Sequence, residues 1–82
     1  MDKKKLLAKA LSGTRNLKFQ DLVALVEEFG FRLARVNGSH HIFAHPRLPE
    51  LVNLQEVRGK AKPYQVWQFL KIVEKHDLKL GE

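Results

Sequence analysis

Asn37-Gly38, set between two runs of alternating polarity, limits what this chain can fold into more than any other feature. Phe31-Arg32-Leu33-Ala34-Arg35-Val36 precedes it and Ser39-His40-His41-Ile42-Phe43-Ala44 follows it. Asn-Gly favours a two-residue hairpin because a type I′ turn requires positive φ at both central residues. Such a turn predicts that Val36 faces Ser39, Arg35 faces His40, Ala34 faces His41, Leu33 faces Ile42 and Phe31 faces Ala44. Side chains alternate along a strand, so Phe31, Leu33, Ile42 and Ala44 share the helix-facing side. Arg35 and His40 extend that side at the turn end. Arg32, Ala34, Val36, Ser39, His41 and Phe43 take the opposite side, where Phe43 needs cover from a third strand or a partner. A bulged turn would exchange the two sets.

The flanking segments have helical period. Residues 2–11 form a short basic helix with Leu7 and Leu11 four apart, broken by Ser12-Gly13-Thr14. A second helix is expected over 20–29, where Leu22, Leu25, Val26 and Phe29 recur at helical spacing and Phe19 can staple onto the first turn. Gly30 suits the left-handed position that ends it. Pro46 and Pro49 end the second strand, and Leu51-Val52-Asn53-Leu54 makes a third. Val57-Arg58-Gly59-Lys60-Ala61-Lys62 reads as a basic loop, and Pro63 opens a last helix reaching about His76. Val66, Phe69, Leu70 and Val73 form its core stripe, with Trp67 at the margin. This order predicts one α+β domain over 1–82: a two-layer sandwich with both helices on one face of three antiparallel strands. A basic arm over 1–15 precedes a core over 17–76.

Composition narrows the chemistry. At 82 residues the chain buries only about 60–65% of the surface its unfolded form exposes, so its core is small. Hydrophobic residues at 44% and charged residues at 29% are an ordinary globular balance. The absence of cysteine excludes disulfides, thiolate zinc sites and a cysteine nucleophile. No apolar run reaches the ~18 residues of a membrane span and the start lacks a signal-peptide core, so cytoplasmic residence is expected. A net charge of +6 favours a polyanionic partner: nucleic acid first, an anionic membrane surface or an acidic protein otherwise.

An imidazole beside a guanidinium, as expected for His40 and Arg35, suits phosphodiester cleavage. Histidine titrates near neutrality and can take a proton from a 2′-hydroxyl or deliver one to the departing 5′-oxygen. Arginine can clamp the phosphate. The alternative is a turn-proximal histidine bonded to backbone. A zinc site fits poorly, because His41 and His45 on one strand have Cα atoms ~13 Å apart at ~3.3 Å per residue. Ligands at ~2.1 Å from a shared metal could not span that gap. The nine acidic residues are scattered, with no pair placed to hold magnesium.

Gly38-Ser39-His40-His41-Ile42-Phe43 with His45-Pro46, preceded by Phe29-Gly30-Phe31, resembles the HicA toxins of HicA–HicB toxin–antitoxin pairs. The resemblance covers residues 17–76. It implies a double-stranded-RNA-binding-domain-like α-β-β-β-α fold and metal-independent mRNA cleavage that needs no cofactor. The histidine after Gly-Ser, His40, is then the functional one. In that fold lysines at the start of the last helix grip phosphates, which gives Arg58, Lys60 and Lys62 an RNA-binding role beside Arg35 and Ser39. Lys3, Lys4, Lys5 and Lys9 read as a solvated arm adding general attraction. Tyr64 and Trp67 could stack on bases, though their spacing beside the core stripe favours burial.

The leading expectation is therefore an mRNA-cleaving toxin held inactive by a HicB-like antitoxin that covers His40 and the basic loop. A non-catalytic RNA-binding module would bind RNA with salt sensitivity and without cleavage. An adaptor for an acidic protein would carry the same charge.

Overall fold

Leu22, Leu25, Val26 and Phe29 all lie in the core, the first three on helix α2 (Phe19–Glu28), as their spacing requires. In this computed structural model, which describes residues 3–12 and 17–81, α2 follows a helix α1 (Lys3–Ser12) of equal length. Of the break expected at Ser12-Gly13-Thr14, Ser12 is the last residue of α1, and Gly13 and Thr14 lie outside the described residues. The inner side of α1 packs: Ala10 is buried, Leu7 rests against the core, and Lys9 Nζ lies 3.9 Å from Asp21 Oδ2. Phe19 does not staple from outside α2; it is the first helical residue and is itself buried.

Gly30 ends α2 as its position suggested, with φ +94°. Its N–H donates to Glu27 O at 3.0 Å and the next N–H, from Phe31, to Val26 O at 3.4 Å. This pair of bonds is a Schellman motif, which satisfies two carbonyls the helix leaves open. Strand β1 (Arg32–Asn37) starts directly after it, so the glycine turns the chain from helix into sheet.

Strands β2 (His40–His45), β3 (Leu48–Val57) and the two-residue β4 (Lys60–Ala61) complete an antiparallel sheet of order β1-β2-β3-β4. Two lengths differ from expectation. The third strand runs through Pro49, because β4 pairs only with Glu56 and Val57 and leaves no strand beside Pro49. A proline without an N–H is tolerated on such an open edge. The basic loop is instead a tight hairpin, with Arg58 at φ +53° and Gly59 at φ +77°. Positive φ at both central residues is the type I′ pattern. Backbone bonds from Phe19 N–H to Gly59 O and from Ala61 N–H to Leu17 O, both 3.0 Å, tie this hairpin to the start of α2.

Pro63 opens α3 (Pro63–Lys75), where its missing N–H costs nothing. Val66 and Phe69 are buried, and Leu70 and Val73 pack partly behind them. Phe69 meets Phe29 and Phe31 edge-on, with ring centroids 5.7 and 5.8 Å away. A second Schellman motif ends α3: Asp77 N–H donates to Glu74 O at 3.2 Å and Leu78 N–H to Val73 O at 3.0 Å. Here the left-handed residue is Asp77, at φ +50°, rather than a glycine.

Both long helices cover one face of the sheet, where Phe43, Val52 and Leu54 complete the core. The expected α+β two-layer architecture is therefore the observed one, and it resembles the double-stranded-RNA-binding-domain arrangement. Among the described residues no helix is long and apolar enough to cross a membrane.

Candidate active site on the open sheet face

The hairpin turn sits one residue later than Asn37-Gly38. Asn37 pairs with His40, Val36 with His41 and Arg35 with Ile42, leaving Gly38-Ser39 as the turn. Gly38 alone has positive φ, +62°, as a turn with glycine in its first central position requires. The register shifts again between Leu33 and Arg35, where a bulge returns Leu33 to Phe43.

Moving the turn leaves the same side chains sharing a face, whereas the bulge between Leu33 and Arg35 carries Leu33 and the residues before it to the Phe43 side. Phe43 points into the core at 1% exposure, and His41 and His45 lie on its side. His40, Ile42 and Ala44 alternate onto the face that the helices leave open. Burying Phe43 in place of Ile42 removes more apolar surface from water, which selects the bulged register over the regular one. The expected helix-facing stripe is corrected accordingly: Ile42, Ala44, Arg35 and His40 belong to the open face. Phe31 is buried, while Leu33, at an edge strand, is exposed.

Arg35 therefore does not face His40 directly. The two share the open face as diagonal neighbours, a relationship that puts Cβ atoms within ~7–8 Å and within reach of a long side chain. Across the sheet His40 pairs with Gln55, and the next β3 residues, Glu56 and Val57, pair with Ala61 and Lys60 just before Lys62 at the start of α3. Asn37, His40 and Gln55 thus lie in line across three strands. Gln65, buried in the first turn of α3, accepts the Gln55 N–H on Oε1 at 2.9 Å, which docks the helix start beside this row.

His40 is half-buried, and its Nδ1 lies 3.0 Å from Asn53 Oδ1. Ser39 accepts twice, on Oγ from Gln55 Nε2 at 3.2 Å and on its carbonyl from Glu56 N–H at 3.4 Å. Asn53 and Gln55 were not singled out from sequence. Both became visible only once the β2–β3 register was known, since the candidate third strand carried no partner assignment.

Arg58 and Lys60 are exposed on the β3–β4 hairpin, and Lys62 sits half-buried at its foot, with Nζ 5.9 Å from the Tyr64 ring. The expected burial of Tyr64 and Trp67 is corrected: they are 53% and 58% exposed, and Lys71 covers the Trp67 ring at 4.8 Å. In the arm, Lys4 and Lys5 are exposed.

The other histidines belong to the packed side. His41 lies against Phe19, with ring centroids 5.0 Å apart, and its Nδ1–H donates to Ser39 O at 3.3 Å. His45 is buried edge-on to Phe31 and accepts the Arg47 N–H on Nδ1 at 3.1 Å. His76 joins Lys75 in holding Glu50, at 2.9 Å each. Those hydrogen bonds lower the Glu50 carboxyl to about 2. Among the described residues no three His, Asp or Glu side chains are placed to share a metal ion.

Fold and site together define a small α+β protein of double-stranded-RNA-binding-domain type, with a histidine on an open, basic sheet face. Residues 19–74 match the family model described as HicA toxin of bacterial toxin-antitoxin. The chain belongs to the HicA toxin family: it is a toxin of a toxin–antitoxin system, with an antitoxin as its counterpart. Among curated proteins there is no match.

Proposed function

We propose that this toxin is an endoribonuclease that cleaves mRNA without a metal, using His40 as general acid or base. Arg35, Ser39, Arg58, Lys60 and Lys62 hold the RNA, and a HicB-like antitoxin in the cytoplasm covers His40 and the basic hairpin. One observation carries this reading. His40 is presented on the face free of helices, in line with Asn37 and Gln55 and diagonal to Arg35. An imidazole needs such access to reach a ribose hydroxyl or a leaving oxygen, and cationic side chains beside it stabilise the negative charge on the phosphoryl oxygens in the transition state.

The test is cleavage of a transcript by the purified chain, with and without EDTA, beside His40→Ala. EDTA-resistant cleavage that disappears in the variant supports the proposal. Cleavage that needs added metal, or survives loss of His40, contradicts it. RNA binding that persists in both proteins without any cutting would favour the non-catalytic module.

A further inference from the structure

We infer that Asn53 is a positioning residue that fixes the proton of neutral His40 on Nδ1, so that Nε2 enters the reaction as the base. This rests on the proposed RNA cleavage, and it assigns His40 the first proton transfer. The atom 3.0 Å from His40 Nδ1 is the Asn53 amide oxygen. An amide oxygen only accepts, so the ring nitrogen facing it must donate. A neutral imidazole protonated on Nδ1 carries its lone pair on Nε2. The arrangement follows from the sheet: Asn53 lies opposite Ile42, which puts it diagonal to His40 on the same open face. The residue before His40 is held too, because Ser39 accepts from both Gln55 Nε2 and the Glu56 N–H. The ring is thus oriented from β3 at its own nitrogen and at its preceding residue.

A base at Nε2 implies transesterification. Nε2 takes the proton of a ribose 2′-hydroxyl, and the 2′-oxygen forms a bond to the adjacent phosphorus. The P–O5′ bond breaks, and the 5′-oxygen takes a proton from solvent. The products are a 2′,3′-cyclic phosphate and a 5′-hydroxyl, and His40 returns its proton to water. No oxidant or reductant is consumed. The nucleotide on the 5′ side of the cut must therefore be a ribonucleotide, whereas its neighbours need not be.

The experiment is long-range ¹H–¹⁵N correlation of the His40 imidazole in the whole chain at alkaline pH, assigned by comparison with His40→Ala. Wild type is expected to show the Nδ1–H tautomer. Asn53→Ala is expected to move the ring to Nε2–H, the form imidazole favours in water, and to slow cleavage about 10- to 100-fold. Asn53→Asp keeps an acceptor, so it should restore both the tautomer and most of the cleavage. Nε2–H in wild type, or an unchanged tautomer in Asn53→Ala, overturns the inference. The tautomer is read without RNA, so it stands or falls separately from the activity. If His40→Ala cuts as well as wild type, the catalytic role proposed for His40 fails instead. An oligonucleotide with one 2′-deoxy sugar at the cut should bind and stay intact; its cleavage would overturn the base assignment.

Discussion

His40 and His41, adjacent in the chain, serve opposite faces of the sheet. The His41 ring packs against Phe19 on the helix-covered side, while His40 bonds Asn53 on the open side. His41→Ala should therefore destabilise the fold by about 1–2 kcal/mol through lost packing, and leave cleavage per folded molecule near wild type. His40→Ala should do the reverse. Urea unfolding combined with RNA cleavage separates the two, and equal catalytic losses would undo the face assignment.

The exchanged register makes a matched pair of substitutions informative. Phe43→Ala removes a fully buried ring and should cost about 3–5 kcal/mol, a large part of a small domain's stability. Ile42→Ser alters the open face and should cost within about 1 kcal/mol. Chemical denaturation checks both. The opposite ranking would put Ile42 rather than Phe43 on the covered face and overturn the face assignment.

Among the described residues, two other than glycine hold left-handed backbone, Arg58 at the β3–β4 hairpin and Asp77 after α3. Glycine at either position relieves a conformation that costs side-chain-bearing residues about 1 kcal/mol. Asp77→Gly should raise stability by roughly that amount and leave RNA binding unchanged. Arg58→Gly should raise stability similarly and weaken RNA binding, with a shallower salt dependence. Thermal unfolding and binding titrations at two salt concentrations distinguish them. Unaltered binding in Arg58→Gly would remove that residue from the RNA contact.

Glu50 links β3 to the end of α3 through Lys75 and His76. Hydrogen bonds to those two partners lower its carboxyl from 4.5 to about 2. A depressed carboxyl binds protons more weakly in the folded chain than in the unfolded one. Its stabilisation is therefore present above pH 4.5 and lost as pH falls toward 2. In acid unfolding, the stability difference between wild type and Glu50→Gln should be largest just above pH 4.5 and shrink as pH falls toward 2. A difference that widens in acid would refute the linkage.

Much of the fold was legible in periodicity and punctuation. The Leu22-Leu25-Val26-Phe29 stripe, Gly30 and Pro63 each mark a boundary through local backbone chemistry, and each stands where that chemistry puts it. The hairpin register was not legible, because turn preference and core burial compete there. Asn37-Gly38 favours one register locally, but burying both Phe31 and Phe43 requires the bulge between Leu33 and Arg35, which no local signal marks. Tyr64 and Trp67 misled for a related reason. Helical spacing tells which residues share a stripe, while the docking angle of α3 decides which stripe is covered. Asn53 lay beyond reach because its meeting with His40 depends on that same register.

The most direct measurement is induction of wild type and His40→Ala side by side in the same cells, with growth and transcript integrity followed together. The expected result is arrest with cleaved mRNA from wild type, and neither from the variant at equal soluble protein. Relief by a co-expressed antitoxin would accompany it. Undiminished arrest and cleavage with His40→Ala would contradict the central claim.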